Sequence, residues 1–243
     1  MIACRCEVCM SEDHRDKRLR TSVMISCGNT NVVIDAGPDF RQQMITHGVN
    51  RLDALLITHG HKDHTGGLDD VRAFNWFQKK AMDIYARPTA QEAIKREFPY
   101  AFGENKYPGS PDFHLHLLSD EPFRVGGMEF IPIQAMHQEM PVLGFRTGDF
   151  SYLTDANRIE PDELDKMKGS KVVVLNALRR EKHHSHFNLE EAVEILRHLQ
   201  PEQGYLTHLS HQMGLSREIQ ATLPGNIFLA YDGLKITIDS QRR

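Results

Sequence analysis

The sequence predicts an α/β fold, mixed strands and helices in one domain over residues 1–243, and three observations carry that expectation. Short apolar runs of strand length recur along the chain, and several end in Thr followed by His or Asp. Helix-period segments with capping residues lie between those runs. No solenoid-period repeat, low-complexity tract or linker divides the chain.

Taken in order, Thr21 to Asp35 (TSVMISCGNTNVVID) reads as a hairpin, two β-branched runs around the turn-forming GNTN. LDALLIT (52–58) suits a buried strand, and GGLDDVRAFNWF (66–77) then changes to helical spacing at Leu68, Val71 and Phe74. Thr89 and Glu92 form a TxxE capping box that predicts a helix near RPTAQEAIKREF. The Gly- and Pro-rich 100–116 is expected to be a surface loop. Strands are expected at 128–136, 144–148, 150–154 and 171–178. Asn188 and Glu191 then cap a helix that ends before Pro201, and strands at 204–210 and 227–238 complete the order.

Hydrophobic residues make up 40% of 243, enough for a sizeable core. A net charge of −4 excludes a global basic field of the kind that holds a nucleic-acid backbone or an anionic membrane. No apolar run approaches the roughly 18 residues of a membrane span, and no signal-like stretch opens the chain, so a cytoplasmic protein is expected. Three of the four cysteines, Cys4, Cys6 and Cys9, fall within CRCEVC, a spacing suited to metal thiolates rather than bridges. Structural zinc takes four ligands, so one remains to be found among Cys27 and the fourteen histidines.

THGHKDHTGG (58–67) holds an HxHxDH motif: His59, His61, Asp63 and His64. Alternation in its extended part aims His59 and His61 the same way, and the turn re-aims Asp63 and His64, which suits two metals. ALLITHGH, FSYLTDAN and GYLTHLS each run an apolar strand into Thr and a ligand, His59, Asp155 and His208, and His137 follows the 128–136 strand. Sites in α/β sheets gather beyond the carboxyl ends of strands, so these deliveries can build one cleft, with Asp155 bridging the metals. Two divalent ions there would yield hydroxide from water at neutral pH, which implies hydrolysis. Asp35, ending VVID, is either a partner that holds the histidine turn or a turn acid.

With these seven residues in this order, the chain resembles the metallo-β-lactamase superfamily almost from end to end, which implies a four-layer αββα sandwich. CRCEVC and THLSHQ further resemble the carbon–phosphorus lyase accessory phosphodiesterases, the PhnP-like proteins. That resemblance implies a structural zinc held by Cys4, Cys6, Cys9 and His211; the rival ligand Cys27 ends a strand and alternates with Val23 and Ile25, which reads as a buried structural thiol. It also implies that His186 contacts the phosphate and assists the leaving group; His186 and Asp63 are the residues expected in the reaction itself. Arg179, Arg180, Lys182, His183 and His184 either attract an anionic substrate or line a solvated loop.

The family pattern starts with a strand ahead of the first cysteine, so this chain is expected to lack that first strand and to be less stable for it. The expected activity is hydrolysis of small phosphodiesters, cyclic ribose phosphates by the resemblance, with two divalent metals, manganese or zinc, in the active site. The resemblance also allows a homodimer. Rival readings are tRNase Z-like RNA 3′ processing, thioester hydrolysis and a non-catalytic metal-binding protein; no membrane partner is expected, and nucleic acid is not favoured.

Overall fold

The computed structural model describes residues 1–103 and 106–239. The chain divides into two compact units: a terminal unit of Met1–Leu19 with Phe130–Arg243, and a central unit of Arg20–Glu129.

The terminal unit opens with a four-residue helix, α1 (Glu7–Met10), whose N-cap is Cys6. In the central unit, β1 (Val23–Cys27) and β2 (Thr30–Ile34) form the expected hairpin, and β3 (Ala54–Leu56), β4 (Met82–Ala86) and β5 (Phe113–Leu117) add in parallel to give the order β1-β2-β3-β4-β5. Helices α2 (Phe40–Thr46), α3 (Lys62–Thr65), α4 (Arg72–Gln78) and α5 (Pro88–Glu97) connect them. Phe40, Leu55, Leu68, Val71, Ile84 and Ile94 meet in the core of this unit. A short strand, β6 (Phe123–Val125), precedes its end.

Two expectations fail here for local reasons. Thr89 does not cap α5: Pro88 takes the first helical position with its fixed φ, and Arg87 becomes the N-cap with no side-chain bond. FHLHL, expected inside the 100–116 loop, is instead β5, a strand whose alternation was masked by the Gly- and Pro-rich stretch before it.

After β7 (Met128–His137), the terminal unit continues through β8 (Met140–Thr147), β9 (Phe150–Leu153), α6 (Pro161–Asp165), β10 (Val172–Asn176), α7 (Leu189–Leu199), β11 (Gln203–Thr207), α8 (Ser216–Gln220) and β12 (Ile227–Leu229). The last strand is three residues, shorter than the 227–238 run expected. Sheet neighbours follow the order β12-β11-β10-β9-β8-β7, antiparallel at β7/β8/β9 and parallel from β9 to β12. Hence β7, β9, β10 and β11 run one way and end at one edge of this sheet. Helix α7 packs Ala192, Val193, Leu196 and Leu199 onto it, among Val173, Leu175 and Leu206.

The amphipathic spacing of α7 sets that face, and the Asn188/Glu191 capping box starts it: Asn188 Oδ1 accepts from Glu191 N at 2.9 Å, and Glu191 Oε2 from Asn188 N at 3.0 Å. Among the described residues, no helix is long and apolar enough to cross a membrane. Asn188→Ala removes a buried cap and is expected to cost about 1–2 kcal/mol, seen as a lower urea midpoint at unchanged m-value. An unchanged midpoint would show that packing alone fixes the start of α7.

Candidate metal centres

In the central unit the histidine motif leaves β3 and enters α3, with His61 as the helix N-cap. Gly37 and Gly67 are required where the 35–37 loop meets this turn: a Cβ on Gly37 would lie 2.1 Å from the Asp63 carbonyl oxygen, and one on Gly67 2.1 Å from that of Gly37. The close approach brings Asp35 under the motif. Its carboxylate is fully buried and accepts from Thr58 N (2.8 Å), Thr58 Oγ1 (2.8 Å) and His64 Nδ1 (2.7 Å). The Thr58 hydroxyl spends its one hydrogen on Asp35, so at 3.0 Å it accepts from His59 Nδ1. One carboxylate thereby fixes two imidazoles with Nδ1 protonated and Nε2 directed away as the ligand atom. Of the two readings of Asp35, the turn acid and the holding partner, the geometry matches the second.

His59 Nε2 and His61 Nδ1 approach to 3.0 Å, and Asp63 Oδ2 lies 3.8 Å from His64 Nε2. The His59 ring also lies close to that of His64, with centroids 4.2 Å apart, so the donors of the motif gather rather than fall into two separate pairs.

In the terminal unit His137 ends β7, Asp155 follows β9 and His208 follows β11. His137 Nδ1 donates to the Ser185 carbonyl at 2.8 Å, which again leaves Nε2 as the ligand atom. Asp155 Oδ1 accepts from Thr154 Oγ1 at 2.8 Å and lies 3.0 Å from His208 Nε2. His186 joins the group, its ring centroid 4.6 Å from that of His137 and 4.9 Å from that of His208. Its Nε2 is 3.5 Å from Asp155 Oδ2, while Nδ1 lies 2.9 Å from Ser185 Oγ. Burial pushes the His186 pKa below the usual histidine value, and the Asp155 carboxylate opposes that shift. Sequence reasoning missed Ser185, and also Asn176, whose amide ties both backbone groups of Ala156 and so sets the Asp155 turn. Asn176 was signalled by a polar residue closing the apolar run VVVLN.

Among the basic neighbours, Arg179 is committed to its own loop through the Glu181 and Lys182 carbonyls and Gln212, while Arg180 and Lys182 are exposed. Exposure of Arg180 and Lys182 fits both readings of this run.

The cysteines meet His211 in the same unit. His211 Nδ1 lies 3.5 Å from Cys4 Sγ and 3.4 Å from Cys6 Sγ, and all four ligand atoms including Cys9 Sγ fall within 4.8 Å of one another. A tetrahedral zinc with ordinary Zn–S and Zn–N bonds separates S from N by about 3.6 Å, so the donor set fits. His211 lowers the Cys6 thiol pKa to about 6, with the Cys9 backbone amide adding to the effect, and this favours the thiolate that zinc needs. Asp16 anchors the cysteine loop, accepting from Ser11 Oγ (2.7 Å), Ser216 N (2.8 Å) and Ser216 Oγ (2.6 Å). Cys27 is not the buried thiol expected. It is exposed, because it sits at the tip of the β1–β2 hairpin on an edge strand, where alternation no longer implies cover.

A model of the beta-lactamase superfamily domain matches residues 30–209. The chain belongs to the metallo-β-lactamase superfamily. Within it the resemblance to the PhnP family holds: a crystal structure described as a new diphosphatase from that family superposes with a TM-score of 0.91 at 36% identity, over 98% of this chain and 92% of that one. A curated relative from Porphyromonas gingivalis, named octanoyltransferase, is 38% identical over 243 residues, 99% of this chain and 49% of that protein. The chain spans less than half the length of the curated relatives it matches. Human tRNase Z, short form, shares the fold at a TM-score of 0.70 and 18% identity, over 91% of this chain and 93% of that one.

His211→Ala is expected to lower tightly bound zinc by about one ion per chain, and Cys27→Ala to leave it unchanged, by elemental analysis after gel filtration. The reverse pattern would reassign the fourth ligand to Cys27.

Proposed function

We propose that this chain is a metal-dependent hydrolase of small phosphodiesters, cyclic ribose phosphates among them. To His59, His61, Asp63, His64, His137, Asp155 and His208 we assign the role of ligands for two divalent metals, and to Cys4, Cys6, Cys9 and His211 that of ligands for a structural zinc. The observation that carries the reading is the supported tautomer of three histidines, the buried His59 and His64 and the half-buried His137. Asp35, Thr58 and Ser185 hold His64, His59 and His137 so that Nε2 faces away, an investment that packing alone does not require. When bound, two divalent ions supply a water-derived nucleophile at neutral pH and neutralise phosphoryl oxygens. Imidazole and carboxylate donors accept zinc or manganese.

His186 acts on the leaving group. Water forms the new bond to phosphorus, the bond to the leaving oxygen breaks, and that oxygen takes the proton from His186 Nε2. An anionic phosphate beside the ring favours the imidazolium and offsets the effect of burial. Ser185 and His183, at Nδ1, hold the ring plane. Asp63, half-exposed in the motif, is the carboxylate we assign to activation of the attacking water.

The name of the 36%-identical relative supports phosphorus as the electrophile and adds diphosphates to the substrates worth testing. A second reading, acyl thioester hydrolysis, rests on the range of chemistries the superfamily hosts; the relative named octanoyltransferase bears on it only through the 49% of its length that this chain matches.

His186→Ala tests the assignment through the leaving group. Turnover of a diester with an alkyl leaving group is expected to fall about 10²–10³-fold, with a much smaller loss for a nitrophenyl diester, which departs without a proton. Equal losses would remove His186 as proton donor. Hydrolysis of an octanoyl thioester, with silence on diesters and diphosphates, would establish the second reading instead.

A further inference from the structure

A second group of metal-ligand side chains lies on the central unit's sheet, and neither the catalytic reading nor the cysteine site uses it. The register pairs Asp83 with His114 and Tyr85 with His116, so these four residues share one face of β4 and β5 while Met82, Ile84 and Ala86 fill the core on the other. Strand β5 is the end of its sheet.

Both histidines turn to one oxygen. Asp83 Oδ1 accepts from His114 Nδ1 at 3.0 Å and from His116 Nε2 at 2.7 Å, and the three ligand atoms lie within 4.8 Å of one another. The rings are held as well as aimed: His116 stacks on Tyr85 at 4.3 Å and 10°, and Tyr85 stacks on Phe123 at 5.1 Å and 21°. Lys80 Nζ, at 3.4 Å, engages the other oxygen, Oδ2, and leaves Oδ1 to the histidines.

We propose that Asp83, His114 and His116 form a third kind of metal site, a surface site for zinc that ties the edge strand β5 to β4. Two imidazoles and a carboxylate are ordinary zinc donors, and water completes the tetrahedron. Around a zinc ion with bonds of about 2.0–2.1 Å the ligand atoms stand about 3.4 Å apart, so the donors need open by only about half an ångström from their present spacing. His114 is 65% exposed and His116 31%, which gives both rings room to do so. The ion takes the place of the two hydrogens now directed at Asp83, and each neutral imidazole keeps its hydrogen by moving it to the other ring nitrogen. The site is open on one side and lies beside the Lys80 cation, so its ion exchanges freely, unlike a Cys₃His zinc.

The test uses the full chain, brought to constant zinc content by gel filtration and then titrated calorimetrically with zinc chloride. The wild type is expected to take up about one further zinc per chain, with a rise in melting temperature. The pair His114→Gln and His116→Gln is expected to abolish that uptake, and Asp83→Asn to weaken it about tenfold or more while leaving the histidines in place. All three residues lie outside the proposed catalytic set, so phosphodiester turnover is expected to stay at the wild-type level, and the inference stands or falls apart from the proposed function. No zinc uptake beyond the tightly held ions, or undiminished uptake by the double variant, would overturn it.

Discussion

The interaction on which the histidine motif depends is the wholly buried carboxylate of Asp35. A carboxylate removed from water is tolerated only where its lone pairs are filled, and here three donors from Thr58 and His64 fill them. The same bonds decide which nitrogen of His64, and through the Thr58 hydroxyl which nitrogen of His59, is left for a metal. The glycines at 37 and 67 serve this contact, since any side chain at either would collide with the backbone that carries the motif.

Asp35 also shows a backbone device that recurs. It has φ +64°, and Asp155 and His208, at the ends of β9 and β11, have φ +55° each. A left-handed residue reverses the chain at a strand end and costs about 1–2 kcal/mol for most side chains; Asp and His are among those found there more often. The cost is met locally: Thr154 bonds Asp155, and Asn176 clamps the following Ala156. At Thr154-Asp155 and Thr207-His208, though not at Thr58-His59, the strand pattern seen in the sequence is thus a conformational pattern as well as a chemical one. Strands end, the backbone turns left-handed, and a polar side chain is held facing out of the sheet.

What was legible in the sequence follows from how local each signal is. HxHxDH was readable as a candidate site because its four side chains lie within residues 59–64 at the strand-to-helix change. The α7 start was readable because a capping box is a three-residue relation. His211 was reached only through the family resemblance, since no local signal links position 4 to position 211. Cys27 was misread because alternation reports a face and not its cover, and β1 is an edge strand at a hairpin tip. The pair His114 and His116 was hidden by the Gly- and Pro-rich residues before it, and its meaning needed the register with Asp83, which a sequence does not print.

The most direct test of the central claim is release of nitrophenolate from bis(p-nitrophenyl) phosphate by manganese-loaded protein, beside His59→Ala prepared in the same way and shown to be folded. The account predicts hydrolysis by the wild type and its loss in the variant. Equal rates in the two, or no product from folded wild type with its metals confirmed, would contradict it.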